Sequence, residues 1–296
     1  MMNIIETNQL TKDYGSGKGI FQVDMCVKPG EVYGFLGPNG AGKTTTIRNL
    51  MGFIKPDSGS CSILAMDCFG KSAQIGKRLG YLPGEISFID GISGKKLVDF
   101  LADMKGMKSD KKMLDLVARF ELDLSGKVRK MSKGMKQKIG LIVAFMNDPE
   151  VIILDEPTSG LDPLMQNRFV DLILEEKKQG KTILMSSHIF EEVERTCDRT
   201  AIIREGRIVA VENMESLSDK KQKTIIVKFS KECVFDNKNL KAFEVIEQTP
   251  MTLTARVKNN WDDWINLLHQ YPIRDIEIQK ESLEEVFLHF YGKEDK

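Results

Sequence analysis

The 296-residue sequence predicts an α/β fold followed by a small α+β domain. Three observations carry that expectation. Short apolar runs at residues 32–36, 151–154 and 182–185 have the length and composition of strands buried on both faces. Segments between them repeat apolar residues at three- and four-residue spacing, the pattern of amphipathic helices. Between the first apolar run and a helix start at Thr45 lies a glycine-rich turn, Gly37-Pro38-Asn39-Gly40-Ala41-Gly42-Lys43-Thr44.

Composition narrows the class. With 41% hydrophobic residues the chain can bury a sizeable core, as one large or two modest domains. Lys+Arg and Asp+Glu are equal at 43 each, so the overall charge gives no reason to expect nucleic acid or an anionic membrane as partner. Cys26, Cys61, Cys68, Cys197 and Cys233 are odd in number and form no C-x-x-C pair, which argues against a disulfide framework or zinc site and for a reducing cytoplasm. The start Met-Met-Asn-Ile-Ile-Glu has no basic n-region, and no segment reaches the length of a membrane span. If the protein works at a membrane, another chain is expected to cross it.

Taken in order, residues 3–10 and 20–27 alternate apolar and polar positions like half-buried strands, with residues 12–17 as the turn between them. Tyr14 sits on that turn, either stacked on a purine ring or partly buried for structure; spacing alone leaves both open. The eight residues from Gly37 to Thr44 fit G-x-x-x-x-G-K-[ST] without a mismatch. Glycines let such a backbone curl around a polyphosphate with its N–H groups inward, and the following helix adds the positive end of its dipole. Lys43 is then expected to pair with the β- and γ-phosphates of a nucleotide and the Thr44 hydroxyl to ligate Mg2+, and Thr45, at the helix start, counts with the nucleotide-binding residues. Residues 55–60 read as a turn and residues 61–66 as another strand.

Residues 79–92 read as a loop, with more apolar bulk at Ile86, Phe88, Ile89 and Ile92 than a solvated loop needs. It is either a docking surface or a segment folded back on the core. Helices follow at residues 94–105, through Leu97, Phe100, Leu101 and Met104, and at residues 109–120, through Met113, Leu116, Val117 and Phe120. They form a helical insertion, about residues 84–146, that ends in a third helix at residues 135–146 with Ser132 as its N-cap.

The run Val151-Ile152-Ile153-Leu154 ends in Asp155-Glu156-Pro157, which stands two carboxylates at the C-terminal edge of a buried strand, where open parallel sheets bind ligands. Asp155 can hold Mg2+, and Glu156 can orient and deprotonate a water attacking the γ-phosphate. Gly160-Leu161-Asp162-Pro163 is a turn into a helix at residues 165–177. A lone histidine at a strand end is more often structural than catalytic. His188, however, follows the buried run 182–185 to that same sheet edge, which favours a hydrogen bond to the γ-phosphate. Residues 201–210 close as a hairpin.

The phosphate loop, helical insertion, Ser132-Lys133-Gly134, Asp155-Glu156, Gly160-Leu161-Asp162 and His188 stand in the order seen in ATP-binding-cassette (ABC) ATPases, which the chain resembles over roughly residues 2–215. That resemblance implies a P-loop NTPase core with an antiparallel β subdomain and helical insertion. It makes Tyr14 the adenine-stacking aromatic, Asp155 the magnesium aspartate, Glu156 the catalytic carboxylate and His188 the switch histidine. Ser132 and Gly134 become signature residues that bind the γ-phosphate held by the opposite subunit, and Asp162 links the two sites. It further implies a head-to-tail homodimer, or a pair with another ABC ATPase, enclosing two ATP molecules. Docking on an integral-membrane permease would place the chain at the cytoplasmic face of a bacterial cell membrane.

Two departures from the family pattern matter. Met131-Ser132-Lys133-Gly134-Met135 replaces the usual Leu-Ser-Gly-Gly-Gln, and resembles the variant in ATPase subunits of ABC-2-type exporters of drugs, antimicrobial peptides or lipids. Where a magnesium-contacting glutamine is usual, Pro83 is followed by Gly84 and Glu85, so Glu85 is the expected partial substitute. After residue 216, residues 217–223 read as a polar linker. Strands are expected at 224–229, 243–248, 251–257 and 273–279, and helices at 261–270 and 282–291, in an accessory domain for dimer contact or regulation. The alternative, a non-transport ABC ATPase acting on ribosomes or DNA, calls for tandem cassettes, long coiled-coil insertions or a basic stripe, none of which the sequence has.

Overall fold

Alternation and apolar runs resolve into defined elements along residues 3–89, 91–107, 110–220, 223–235, 240, 242–257 and 261–280, which the computed structural model describes. The first part contains β1 (Ile5–Asp13), β2 (Gly19–Val27), β3 (Val32–Leu36), α1 (Lys43–Leu50), β4 (Ser58–Ile63), β5 (Met66–Asp67), α2 (Ser72–Gly76) and β6 (Leu79–Leu82). There follow α3 (Gly94–Met104), α4 (Lys111–Arg119), a single 3-10 turn, α5 (Lys133–Phe145), β7 (Val151–Asp155) and α6 (Pro163–Lys178). The run then continues through β8 (Thr182–Ser187), α7 (Phe190–Thr196), β9 (Arg199–Arg204), β10 (Arg207–Asn213) and α8 (Met214–Lys220).

Two sheets organise the unit Met1–Met214. The half-buried strands form an antiparallel sheet ordered β2-β1-β4-β5, whereas the wholly apolar strands lie inside a six-stranded sheet ordered β10-β9-β3-β8-β7-β6. In the larger sheet β9, β3, β8, β7 and β6 run parallel, and β10 closes one edge as an antiparallel hairpin. Every residue of β3, β7 and β8 is buried, as expected of strands covered on both faces. Ile47 and Leu50 of α1 share one core with Ile5, Leu10, Ile20 and Val23 of the smaller sheet and Tyr33, Phe35, Ile153 and Leu184 of the larger, so α1 is held between the sheets. Phe145 of α5 and Phe169 of α6 are fully buried, worth about 1.5–3 kcal/mol each in transfer from water. Arg199 ties the sheets together: its guanidinium pairs with Glu31 at 2.5 Å and donates to the Cys26 carbonyl at 2.7 Å.

Several expectations change. Residues 79–82 are not loop but the edge strand β6, bonded to β7; a Cβ at Gly80 would lie 2.0 Å from the Ala144 carbonyl, so only glycine lets the strand meet α5 there. The strand expected at residues 61–66 is a hairpin, because Leu64 and Ala65 take positive φ between β4 and β5. β1 runs on to Asp13, and Tyr14 N–H donates to the Lys18 carbonyl across a shorter turn. Helices α2 and α7 were not expected, and most of the segment taken for a polar linker lies in α8.

The unit Glu215–Lys296 carries its own sheet. It is built from β11 (Lys223–Phe229), β12 (Glu244–Thr249), β13 (Thr252–Val257) and β14 (Ile273–Lys280), all antiparallel in the order β12-β13-β11-β14. Trp264, Leu267 and Leu268 of α9 (Trp261–Leu268) pack with Ile225, Val227, Leu253 and Ala255. The helix expected at residues 282–291 lies outside the described residues.

Candidate nucleotide site

Buried β3 delivers the chain to the glycine-rich loop, and α1 leaves it. Gly42 adopts φ 112° at the N-cap of α1, where a Cβ would stand 2.7 Å from Ile20, so the position admits glycine on both conformational and steric grounds. Gly206 N–H donates to the Ala41 carbonyl at 2.9 Å, and the loop is thereby braced by the β9–β10 turn. Among the described residues no side chain caps α1. Lys43 is 6% exposed and its ammonium folds back over the loop, donating to the carbonyls of Gly37 at 2.6 Å and Pro38 at 3.3 Å. It also lies 3.1 Å from Glu156 Oε1, as an ion pair and not an aligned hydrogen bond.

The parallel sheet brings the ends of β7 and β8 beside this loop. Asp155 is fully buried; its Oδ2 accepts from Thr44 Oγ1 at 2.9 Å and its Oδ1 from Ser186 Oγ at 2.5 Å. Glu156 takes a left-handed backbone, φ 51°, unusual for a residue with a side chain. That conformation is secured from two sides. Its N–H reaches the Ser186 carbonyl and hydroxyl at 3.2 and 3.1 Å, while Gln137 Nε2 of α5 donates to the carbonyls of Glu156 at 3.2 Å and Pro157 at 2.8 Å. The carboxylate itself bridges Lys43 and, at 2.5 Å through Oε2, the half-exposed His188 Nδ1. Lys43, Thr44, Asp155, Glu156 and His188 thus converge at one sheet edge.

Two features of this edge suit a polyphosphate and a hard cation. The uncapped α1 terminus and the Lys43 ammonium are donors only, the complement of phosphate oxygens. The Thr44 hydroxyl and Asp155 carboxylate offer adjacent oxygen donors, the type Mg2+ takes from proteins while keeping its other positions for water and phosphate. Gly84 approaches so closely that a Cβ would sit 3.0 Å from Asp155 Oδ2, which leaves no easy room for a side chain there. Glu85 is exposed, and among the described residues no three His, Cys, Asp or Glu side chains gather as a metal cage, so it forms no such set with Asp155 and Glu156.

The other expected residues divide into two places. Tyr14 stands half exposed at the tip of the β1–β2 turn, whose base at Gly19 and Ile20 touches Gly42. Ser132 caps α5 by accepting from Met135 N–H at 3.2 Å, and a Cβ on Gly134 would lie 2.6 Å from the Gly160 carbonyl. Lys133 Nζ donates to Ser159 at 2.9 Å, and Asp162 caps α6 through Met165 N–H at 3.0 Å; the signature segment and the turn after Glu156 form one contact group. In the segment after β6, Ile86 packs against α5 at Gly140, whereas Ile89 is 58% exposed, so the apolar residues there split between core and surface.

Sequence reasoning missed the residues that hold the site. Ser186 and Gln137 support Asp155 and Glu156, and Glu192 of α7 accepts from Ser187 Oγ at 2.9 Å and Thr158 Oγ1 at 3.1 Å. Burial drives the Glu192 carboxyl up to about 7 against the pull of those two hydroxyls, with the Glu156 charge adding to the rise. The one available signal was chemical: a Gln and a Glu amid the apolar positions of short helices.

A glycine loop between buried strand and helix, a buried lysine, and a neighbouring strand ending in carboxylates define a P-loop nucleotide hydrolase. Residues 20–159 match the ABC transporter family. The chain is 39% identical over 225 residues to the bacitracin transport ATP-binding protein BcrA of Bacillus licheniformis, covering 71% of this chain and 69% of that one. To the ABC transporter ATP-binding protein YhcH of Bacillus subtilis it is 30% identical over 299 residues, 99% of this chain and 97% of that one. A solved ATP-binding subunit of an ABC transporter superposes with TM-score 0.66 at 29% identity, over 73% of this chain and 92% of that one. This chain belongs to the ABC transporter family and is an ATP-binding ATPase cassette of it. Among the described residues no helix is long and apolar enough to cross a membrane.

Proposed function

We propose that the chain is the ATP-hydrolysing subunit of an ABC-2-type exporter and couples ATP-driven dimerisation to export through a separate integral-membrane permease, at the cytoplasmic face of a bacterial membrane. The observation that carries this is the convergence of Lys43, Thr44, Asp155, Glu156 and His188 at one sheet edge, with Ser132 and Gly134 grouped apart beside the turn at Gly160. Lys43 and the α1 terminus hold the β- and γ-phosphates, and Tyr14 stacks on adenine. Thr44 and Asp155, helped by Glu85, hold Mg2+, which when bound neutralises phosphate charge. Glu156 takes a proton from the attacking water as its oxygen bonds to the γ-phosphorus and the bridging P–O bond breaks. His188, already on Glu156, keeps that carboxylate aimed and bonds the γ-phosphate. Ser132 and Gly134 close over the γ-phosphate of a second, head-to-tail copy, and Asp162 joins the two sites.

The similarity to a bacitracin transport protein supports export, and the similarity to YhcH, which runs the length of the chain, supports counting residues 217–296 as an accessory domain of the same branch beside a cassette at 1–216. The exposed Ile89 segment is the proposed contact for the permease. Affinity purification of the full chain from detergent-solubilised membranes is expected to bring a multi-span protein with it. Recovery of ribosomal or DNA-bound partners instead would refute the transport reading.

A further inference from the structure

Glu192 sits behind the catalytic edge in an arrangement that its own burial does not explain. It is 6% exposed, one carboxylate oxygen has no hydrogen-bond partner among the described residues, and the other takes hydroxyl donors from the turn after Glu156 and from the end of β8. A buried carboxylate with an orphan oxygen costs stability, so simple packing would favour an apolar residue here. Thr158 and Ser187 are both buried, at 4% and 0% exposure. A cavity of about 170 Å3, lined by Thr158, Gln166, Val170, Ile189, Glu192 and Arg195, lies beside the carboxylate. The two donors are informative in their positions: Thr158 is two residues after Glu156, and Ser187 is one residue before His188.

We propose that Glu192 is the positioning residue of the hydrolytic pair: its carboxylate fastens the turn after Glu156 to the end of β8 that leads into His188, and so preserves the 2.5 Å contact between their side chains. Gln137 fixes the Glu156 backbone from α5 on the other side, and Thr196 Oγ1 donates to the Glu192 carbonyl at 2.7 Å, anchoring the clamp within α7. The proposal rests on the reading that Glu156 and His188 act in hydrolysis. Glu192 touches neither the glycine loop nor Lys43 in any contact described above, so its loss is expected to disturb turnover and spare nucleotide binding.

The test is ATPase kinetics, equilibrium nucleotide binding and thermal unfolding on the full chain carrying Glu192→Ala, Glu192→Gln, Thr158→Val, or Glu192→Ala with Thr158→Val. Glu192→Ala is expected to lower kcat about tenfold or more while the Kd for ATP stays within about threefold. Glu192→Gln, whose amide oxygen still accepts from both hydroxyls, is expected to recover most of that loss, and the double variant to be no slower than Glu192→Ala alone. A kcat within about twofold of the parent in Glu192→Ala, or parallel losses of kcat and affinity that Gln does not restore, would overturn the proposal. If Glu192→Ala does not fold, Ser187→Ala and Thr158→Val each remove one arm and face the same criteria. Glu156→Gln, measured alongside, separates the two levels: an active Glu156→Gln removes the hydrolytic reading and the clamp with it, whereas an inactive Glu156→Gln beside a normal Glu192→Ala removes the clamp alone.

Discussion

Replacing Glu156 by Gln is the most discriminating perturbation, because the carboxylate stands in two relationships that change in opposite directions. In its proposed role as general base it is expected to account for roughly 10²–10⁴ in rate, so its loss should raise the barrier by about 3–5 kcal/mol. As the 3.1 Å partner of Lys43 it competes with phosphate for the ammonium, which also donates to the Gly37 and Pro38 carbonyls. Exchanging a charge-assisted contact for a neutral one weakens that competition by about 1 kcal/mol, which corresponds to roughly fivefold tighter ATP binding. The variant is therefore expected to bind ATP better and scarcely hydrolyse it, and to accumulate as a closed dimer. Single-turnover hydrolysis, equilibrium binding of a fluorescent ATP analogue and size-exclusion chromatography with ATP measure the three effects. Turnover within about threefold of the parent, or weaker ATP binding, would refute the reasoning on which both numbers rest.

Two further outcomes are expected. Glu85→Ala should raise the Mg2+ concentration needed for half-maximal ATPase activity, and an unchanged requirement in a magnesium titration would remove Glu85 from the metal site. The Glu192 carboxyl moves from its ordinary 4.5 up to about 7 in the folded chain, chiefly through burial, so between those values the folded state holds a proton that the unfolded state lacks, and stability falls as pH rises. Glu192→Gln cannot lose that proton; thermal melts at about pH 5 and pH 8 should show the variant gaining on the parent at the higher pH, and a constant difference would contradict the assignment.

The parts of the fold legible in sequence were those whose signal is local. β3, β7 and β8 are continuous apolar runs, and the glycine loop announces both its turn and its helix. β6 was not legible, because four residues followed by Pro-Gly show no periodicity, and the strand exists through its pairing with β7 and the fit of Gly80 on Ala144. α7 and α8 are rich in charge and carry too few apolar positions to display a stripe. At the site, motif chemistry singled out the residues expected to meet nucleotide, while those that hold them carried no such signal. Ser186 lies 31 residues from Asp155 and Thr158 lies 34 from Glu192, separations that only the parallel sheet closes.

The two bonds from Gln137 carry a mechanical consequence. They join the interior of α5, the helix that begins at Ser132, to the backbone at Glu156 and Pro157, and a hydrogen bond tolerates only a few tenths of an ångström before it weakens. The position of the helical insertion is therefore coupled to the Glu156 backbone: a tilt of α5 either carries Glu156 with it or breaks these two bonds.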